Sequence, residues 1–283
     1  NLLSSSKTIF NQKKISGLIP AFFMLKILVI ALLFLFSSVS FAQETGVKHR
    51  FRDGEVLTYS IYYYLMGVWV GAGDVTFQVD EDLIYGKPCF RFKSNGSTLT
   101  RYDWFYKVRD TYTAYSDINS LKPYRFYRDV KEGGEYYTEN NRYDYSKNKI
   151  YSLMNYKDDP PKRDTLNLEE GSFDVLSLIY HTRDLDFASY TAGDKIPIKM
   201  VIDGAIYNLY IRFLGTEIYD HSEIGKVECY VFSPLLVDGT IFKGGENMKV
   251  WVTKDENVIP IYIQSEIRVG SIRAELKAYS GIL

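Results

Sequence analysis

The chain has 283 residues and a formal net charge of −1, with 24% charged, 46% hydrophobic and 16% aromatic side chains. That balance gives no electrostatic footprint for nucleic acid and no polybasic tract for anionic headgroups. The length suits one large β domain or two small ones, and either could bury a substantial core.

Residues 24–43 read MLKILVIALLFLFSSVSFAQ. Lys26 is a positive n-region, 27–36 is an unbroken apolar run, and Ser40-Phe41-Ala42 has small residues where signal peptidase cuts. The run is shorter than the ~20 residues of a membrane span. Residues 24–42 are therefore expected to be a signal peptide, and 1–23 an upstream, non-native extension. The alternative is an uncleaved anchor, in which Lys26 would sit mid-span at considerable cost. Cleavage removes 42 residues, among them Lys7, Lys13, Lys14 and Lys26 and no acid, so 241 residues remain and the net charge goes from −1 to −5. Neither Cys89 nor Cys229 stands in a lipobox. The expectation is a periplasmic, secreted protein without a lipid anchor, not membrane-spanning after cleavage.

From 43 onward the chain reads as strand after strand. Leu57, Tyr59, Ile61, Tyr63 and Leu65 alternate with Thr58, Ser60 and Tyr62, the period of a half-buried strand. Met66-Gly67 turns the chain into a second strand, 68–79. Strands follow at 88–94, with Asn95-Gly96 as a turn, then at 104–115 and 124–130. Gly133-Gly134 makes a hairpin into 135–143. The next strand, 148–154, is short and reads as an edge, and 158–165 (DDPPKRDT) reads as a polar loop.

One segment breaks this rhythm. In 172–184, SFDVLSLIYHTRD, Phe173, Leu176, Ile179 and Tyr180 share a face that Val175 and Leu178 widen, with Ser172 as N-cap and Asp174 in the first turn. A stripe that wide predicts a helix buried on most sides. Strands resume at 196–202, turn at Asp203-Gly204, and continue at 206–214, 226–234, 248–253, 258–264 and 266–279. In the last of these the apolar phase changes at Gly270, which predicts a β-bulge there. One helix among a dozen strands makes a single all-β domain over 43–283, an incomplete antiparallel barrel or strongly curved sheet with one buried plug helix.

Catalytic signals are sparse. His49, in a flexible start, His181 on the helix and His221 in a turn have no metal-ligand spacing. No Gly-x-Ser-x-Gly is present, and Gly71-Ala72-Gly73 reads as a bend because no helix follows it. No catalytic residue, metal or cofactor is expected. The densest polar-aromatic cluster is 101–110, RYDWFYKVRD. Trp104, Tyr106 and Arg109 from it, with Tyr63, Trp69 and Arg183, are the ligand-binding candidates. Arg183 on a buried helix needs a countercharge, and an ion pair with a strand carboxylate, locking helix to sheet, is favoured over a ligand contact. Cys89 and Cys229 could form a disulfide closing a long loop, worth about 4–5 kcal/mol; two buried free thiols are the alternative.

Several stretches together carry a resemblance: Gly54-Glu55-Val56-Leu57-Thr58-Tyr59, Phe105-Tyr106-Lys107-Val108-Arg109-Asp110, Phe173-Asp174-Val175-Leu176-Ser177 on to Tyr180 and Arg183, Trp251-Val252-Thr253-Lys254-Asp255 with Ile259-Pro260, and Gly270-Ser271-Ile272-Arg273-Ala274-Glu275-Leu276. In their order and spacing they resemble the domain of unknown function 3108 family. The resemblance implies an exported Gram-negative envelope protein and supplies no catalytic residues. The inferred architecture is similar, at fold level, to periplasmic lipoprotein carriers of the LolA and LolB type, and fold does not fix function. The expected function is a non-enzymatic binding module for a hydrophobic or amphipathic envelope ligand, a lipid or acyl chain. The alternative is an envelope scaffold contacting glycan or a protein partner. An envelope hydrolase ranks third, and a strongly shifted carboxylate in a cleft would raise it.

Overall fold

The computed structural model describes residues 47–238, 243–268 and 270–283; the signal-like segment lies outside them. The alternating, aromatic-rich sequence folds into strands β1 (Val56–Leu65), β2 (Val68–Ile84), β3 (Lys87–Thr98), β4 (Arg109–Asp117), β5 (Pro123–Glu132), β6 (Glu135–Asp144), β7 (Lys149–Tyr156) and β8 (Lys162–Asn167). A two-residue strand β9 (Ser172–Phe173) leads into helix α1 (Val175–Arg183). Then come β10 (Lys195–Ile202), β11 (Ala205–His221), β12 (Gly225–Pro234), a small hairpin β13 (Leu236–Asp238) and β14 (Lys243–Gly245), and β15 (Met248–Thr253), β16 (Pro260–Glu266) and β17 (Ser271–Ser280).

Fifteen of these strands form one sheet in the order β8-β7-β6-β5-β4-β3-β2-β1-β17-β16-β15-β12-β11-β10-β9. Its pairings are antiparallel except β9 on β10, and the strongly curved sheet does not close into a barrel. Four two-residue hairpins, at Met66-Gly67, Tyr85-Gly86, Gly133-Gly134 and Asp203-Gly204, have positive φ at both turn residues, the geometry that matches strand twist. Bulges add curvature. Ile61 faces Gly73 and Tyr62 faces Gly71, so Ala72 is the extra residue. Gly73 is required there because a Cβ would lie 2.3 Å from the Ser97 carbonyl oxygen.

Helix α1 plugs the concave side. Its N-cap is Asp174, which accepts from Leu176 N and Ser177 N at 3.0 Å each. Ser172, the expected cap, instead pairs with β10 as part of β9. Leu176, Leu178 and Tyr180 join Phe51, Phe90, Phe92 and Phe126 in one core cluster, and Tyr180 stacks on Phe92 with centroids 4.0 Å apart. A second cluster around Phe187, Ile211, Phe232 and Val250 lines the other half of the sheet.

Several expectations need correction. The 104–115 strand begins only at Arg109; Thr100–Tyr102 is a 3-10 turn. Asn95-Gly96 lies inside β3, paired with Thr111 and Asp110. The polar 158–165 segment contributes the true edge strand β8, so β7 is one strand in from the edge. Gly270 is in the β16–β17 turn, and the phase change seen there separates two strands; the bulge against β17 falls at Thr58/Tyr59. His49 is buried, bonded to Asp184 at 2.5 Å and to the Ile118 carbonyl at 2.9 Å. Cys89 and Cys229 are free and buried. Five strands separate β3 from β12 along the sheet, and neighbouring strands are about 4.8 Å apart, far beyond disulfide reach.

Candidate functional site

Because successive strands are antiparallel, their turns fall alternately on two ends of the sheet. One end holds the turns after β3 (at Arg109), β5 (at Glu132) and β7 (at Tyr156), and the start of β15. The other holds the turns after β4, β6 and β15 and the segment before β1. This second end is sealed: His49, Phe51, Glu55, Leu121, Asn257, Val258 and Ile259 are buried there.

Arg183 forms part of the seal. Its guanidinium donates to both carboxylate oxygens of Glu55, at 2.5 and 2.9 Å, to the Asn257 carbonyl and to the Arg50 carbonyl at 2.9 Å. This is the expected helix-to-sheet ion pair, made with a carboxylate just ahead of β1. With its donors so occupied, Arg183 locks the helix to the sheet.

Between the plug helix and the sheet lies a cavity of about 970 Å³. Its wall is mainly apolar: Phe77, Ile179, Ile198, Met200, Ile211 and Phe232 are representative. Tyr106, Glu135, Tyr156 and Asp203 also line it and are solvent-exposed or near the rim. The cavity therefore runs from a sealed floor to an open rim.

Near the rim the lining turns polar. Arg128 on β5 forms ion pairs with Glu139 on β6, at 2.8 Å, and with Asp203 in the β10–β11 turn. It also donates to the Tyr137 hydroxyl at 3.2 Å. Glu139 further accepts from Asn141 Nδ2 at 3.0 Å and from the backbone N–H groups of Asp203 and Gly204 at 3.3 Å. This network ties the β10–β11 tip across the opening that the unclosed sheet leaves. Beside it, Glu132 hydrogen-bonds Asp110; burial first, then the hydrogen bond and charge of that neighbour, push the Glu132 carboxyl up to about 7, while burial raises Asp110 against the lowering effect of its hydrogen bonds.

Of the six sequence candidates, Tyr106 and Arg183 line the cavity. Tyr106 packs where a Cβ on Gly133 would lie 2.3 Å from its ring. Trp104 is exposed on the loop before β4. Arg109 binds Asp103 at 2.6 Å and the Val108 carbonyl at 2.6 Å. Trp69 packs at a tilt against Tyr64 with centroids 5.1 Å apart and has the Arg273 guanidinium 4.5 Å from its ring, and Tyr63 lies beside Gly270; neither reaches the cavity wall. Sequence reasoning missed Arg128, Glu132, Glu139 and Asp203. A signal existed: Phe126, Arg128, Val130 and Glu132 alternate on one face, which places two charges on an otherwise apolar side.

The fold and site define a β-barrel-like protein with an internal, mainly apolar cavity open at one rim. The chain belongs to the family described as Protein of unknown function (DUF3108), whose model matches residues 58–277. Among solved structures it is similar to a beta-barrel-like protein of domain of unknown function DUF1849 from Brucella abortus, at 10% identity, covering 83% of this chain and 100% of that one, with a TM-score of 0.54. A DUF1329 family protein from Desulfovibrio piger also matches, at 10% identity over 81% of this chain and 85% of that one, but its TM-score of 0.23 supports no statement about fold. No curated protein matches.

Proposed function

We propose that this is a non-enzymatic, periplasmic binding protein that shelters a hydrophobic or amphipathic envelope ligand, such as a lipid acyl chain, in its cavity. The observation that carries the reading is the cavity of about 970 Å³ with an apolar wall and a polar rim. Clefts of ~300–1,000 Å³ lined by apolar groups with a few convergent polar ones are the usual form of small-molecule sites. A chain would lie along Ile198, Met200, Ile211 and Phe232, with its head toward Tyr137 and Glu132. Arg128 is already matched by Glu139 and Asp203, so the polar end suits a hydrogen-bonding head better than a strongly anionic one. The general likeness to lipoprotein carriers of the LolA type belongs to this proposal, as analogy alone.

A second reading, a hydrolase, draws on the Asp110–Glu132 pair, in which Glu132 is pushed up to about 7, a value that suits acid–base work. Native mass spectrometry of the chain from residue 43, purified from a periplasm and then extracted with organic solvent, separates the readings. A stoichiometric lipid that stays intact on prolonged incubation is the expected result. Empty protein would overturn carriage and favour the envelope scaffold, and a cleaved product that Glu132→Gln abolishes would favour hydrolysis.

A further inference from the structure

The rim where the cavity opens also carries the most exposed apolar side chains among the described residues. Met66, in the β1–β2 turn, is 95% exposed; Trp104 and Phe105, in the loop before β4, are 84% and 78% exposed. Next to them Tyr106 lines the cavity itself. The 99–108 loop packs against β2 just below the β1–β2 turn: Leu99 N donates to the Ala72 carbonyl at 2.9 Å and Arg101 reaches the Gly71 carbonyl at 3.4 Å.

The loop is built. Tyr102 N donates to the Leu99 carbonyl at 2.8 Å, and Phe105 N and Tyr106 N both donate to the Tyr102 carbonyl, at 2.9 and 3.0 Å. Asp103 accepts from Thr98 Oγ1 at 3.1 Å and from Arg109 at 2.6 Å. Two large rings held in water by a braced loop gain nothing for the fold, because they bury little surface in it.

Charge distinguishes this patch from the other exposed apolar residues. At the sealed end, Leu83 follows Glu81 and Asp82, and Ile218 stands between Glu217 and Asp220. On the 99–108 loop the single acid, Asp103, is taken by Arg109, which leaves the loop's net charge to Arg101 and Lys107. Asp110, Glu132 and Glu135 stand near Tyr106 on the same rim, so the basic character is confined to the loop itself. Amphipathic aromatic side chains flanked by basic ones are the composition that settles at a membrane–water interface.

We infer that the 99–108 loop, with Met66 at the same end of the sheet, is a docking element that seats the open rim on an anionic phospholipid surface. The cavity mouth then faces the bilayer, and a hydrophobic ligand passes between membrane and cavity without crossing water. The docking geometry rests on the loop alone; only its purpose depends on the carrier reading.

The test uses the exported chain with vesicles of equal parts phosphatidylglycerol and phosphatidylcholine, against pure phosphatidylcholine. Wild type should co-sediment with the anionic vesicles more than with the neutral ones. Brominated lipid should quench its tryptophan emission, and Trp104→Phe should remove most of that quenching. Each exposed ring moved out of water is worth about tenfold in partitioning, so the double variant W104S/F105S should bind about a hundredfold more weakly with an unchanged melting curve. R101Q/K107Q should abolish the preference for phosphatidylglycerol. Wild type that ignores both vesicles overturns the inference, as does a double variant that binds like wild type. Either failure leaves ligand occupancy of the cavity untouched, so it is distinguishable from failure of the carrier reading, which an empty cavity would mark.

Discussion

Arg183→Met removes one half of a buried ion pair and leaves the other half in place. Methionine preserves most of the packing volume on the helix, so the change isolates charge and hydrogen bonding. In the native protein Glu55 and Arg183 are both almost fully buried, and the guanidinium also satisfies the carbonyls of Asn257 and Arg50. The variant strands a buried carboxylate and orphans those carbonyls. Breaking such a pair from one side costs about 3–5 kcal/mol, a large share of the ~5–15 kcal/mol that domains have in total. Urea unfolding followed by tryptophan fluorescence and circular dichroism reads the difference. Replacing both partners, Glu55→Leu with Arg183→Met, should recover most of the loss, because two apolar groups leave nothing unpaired. Ligand retention by folded R183M should be unchanged. A loss below about 1 kcal/mol at neutral pH, with an unchanged denaturant slope, would refute the assignment of Arg183 as the lock between helix and sheet.

Two further predictions follow from buried groups. Burial chiefly pushes Glu132 up to about 7 and Asp174 up to about 6; for Asp174 the cap hydrogen bonds only partly offset it. Both folded-state values are raised, so the stability they contribute is fully present below their unfolded values, near 4, and is lost as pH rises through 6 and 7. Glu132→Gln should flatten the upper part of that decline and Asp174→Asn, which keeps a competent cap, the lower part; melting curves at closely spaced pH values check this, and an unaltered slope in both variants would sink it. The Cys89 and Cys229 thiols are pushed up to about 11, mainly by burial, so an aromatic disulfide reagent should titrate neither in the native protein and both after unfolding, and reductant should not move the melting temperature. A single thiol count of zero in the unfolded, unreduced chain would show that the two are bonded after all.

Most strands were readable because alternation is a local property: a side chain's facing depends only on its neighbours in the chain. The hairpins at Met66-Gly67, Gly133-Gly134 and Asp203-Gly204 were readable for the same reason, since two residues with positive φ specify the turn. The 101–110 cluster misled. Tyr102, Trp104 and Tyr106 alternate as a strand would, yet the segment winds into a turn braced by Asp103 and Arg109. The edge strand β8 was hidden by its polarity, because Leu166 is its only apolar side chain against the core and shows no alternation. Arg128 and Glu139 escaped notice because their partners lie on different strands and on a distant turn.

What the amino-acid sequence determined by itself was the class of structure: a strand-rich domain with one buried helix, the places where the chain turns, and the need of Arg183 for a countercharge. These follow from periodicity and from the cost of burying an unpaired charge, both of which a linear sequence displays. Only the tertiary structure decided that the Arg128–Glu139–Asp203 network spans the opening of the incomplete barrel, that one end is sealed while the other exposes Trp104 and Phe105, and that a cavity lies between. Each depends on which strands curl to face one another across the barrel, and that closure geometry is set by bulges and long-range pairings that no local pattern encodes.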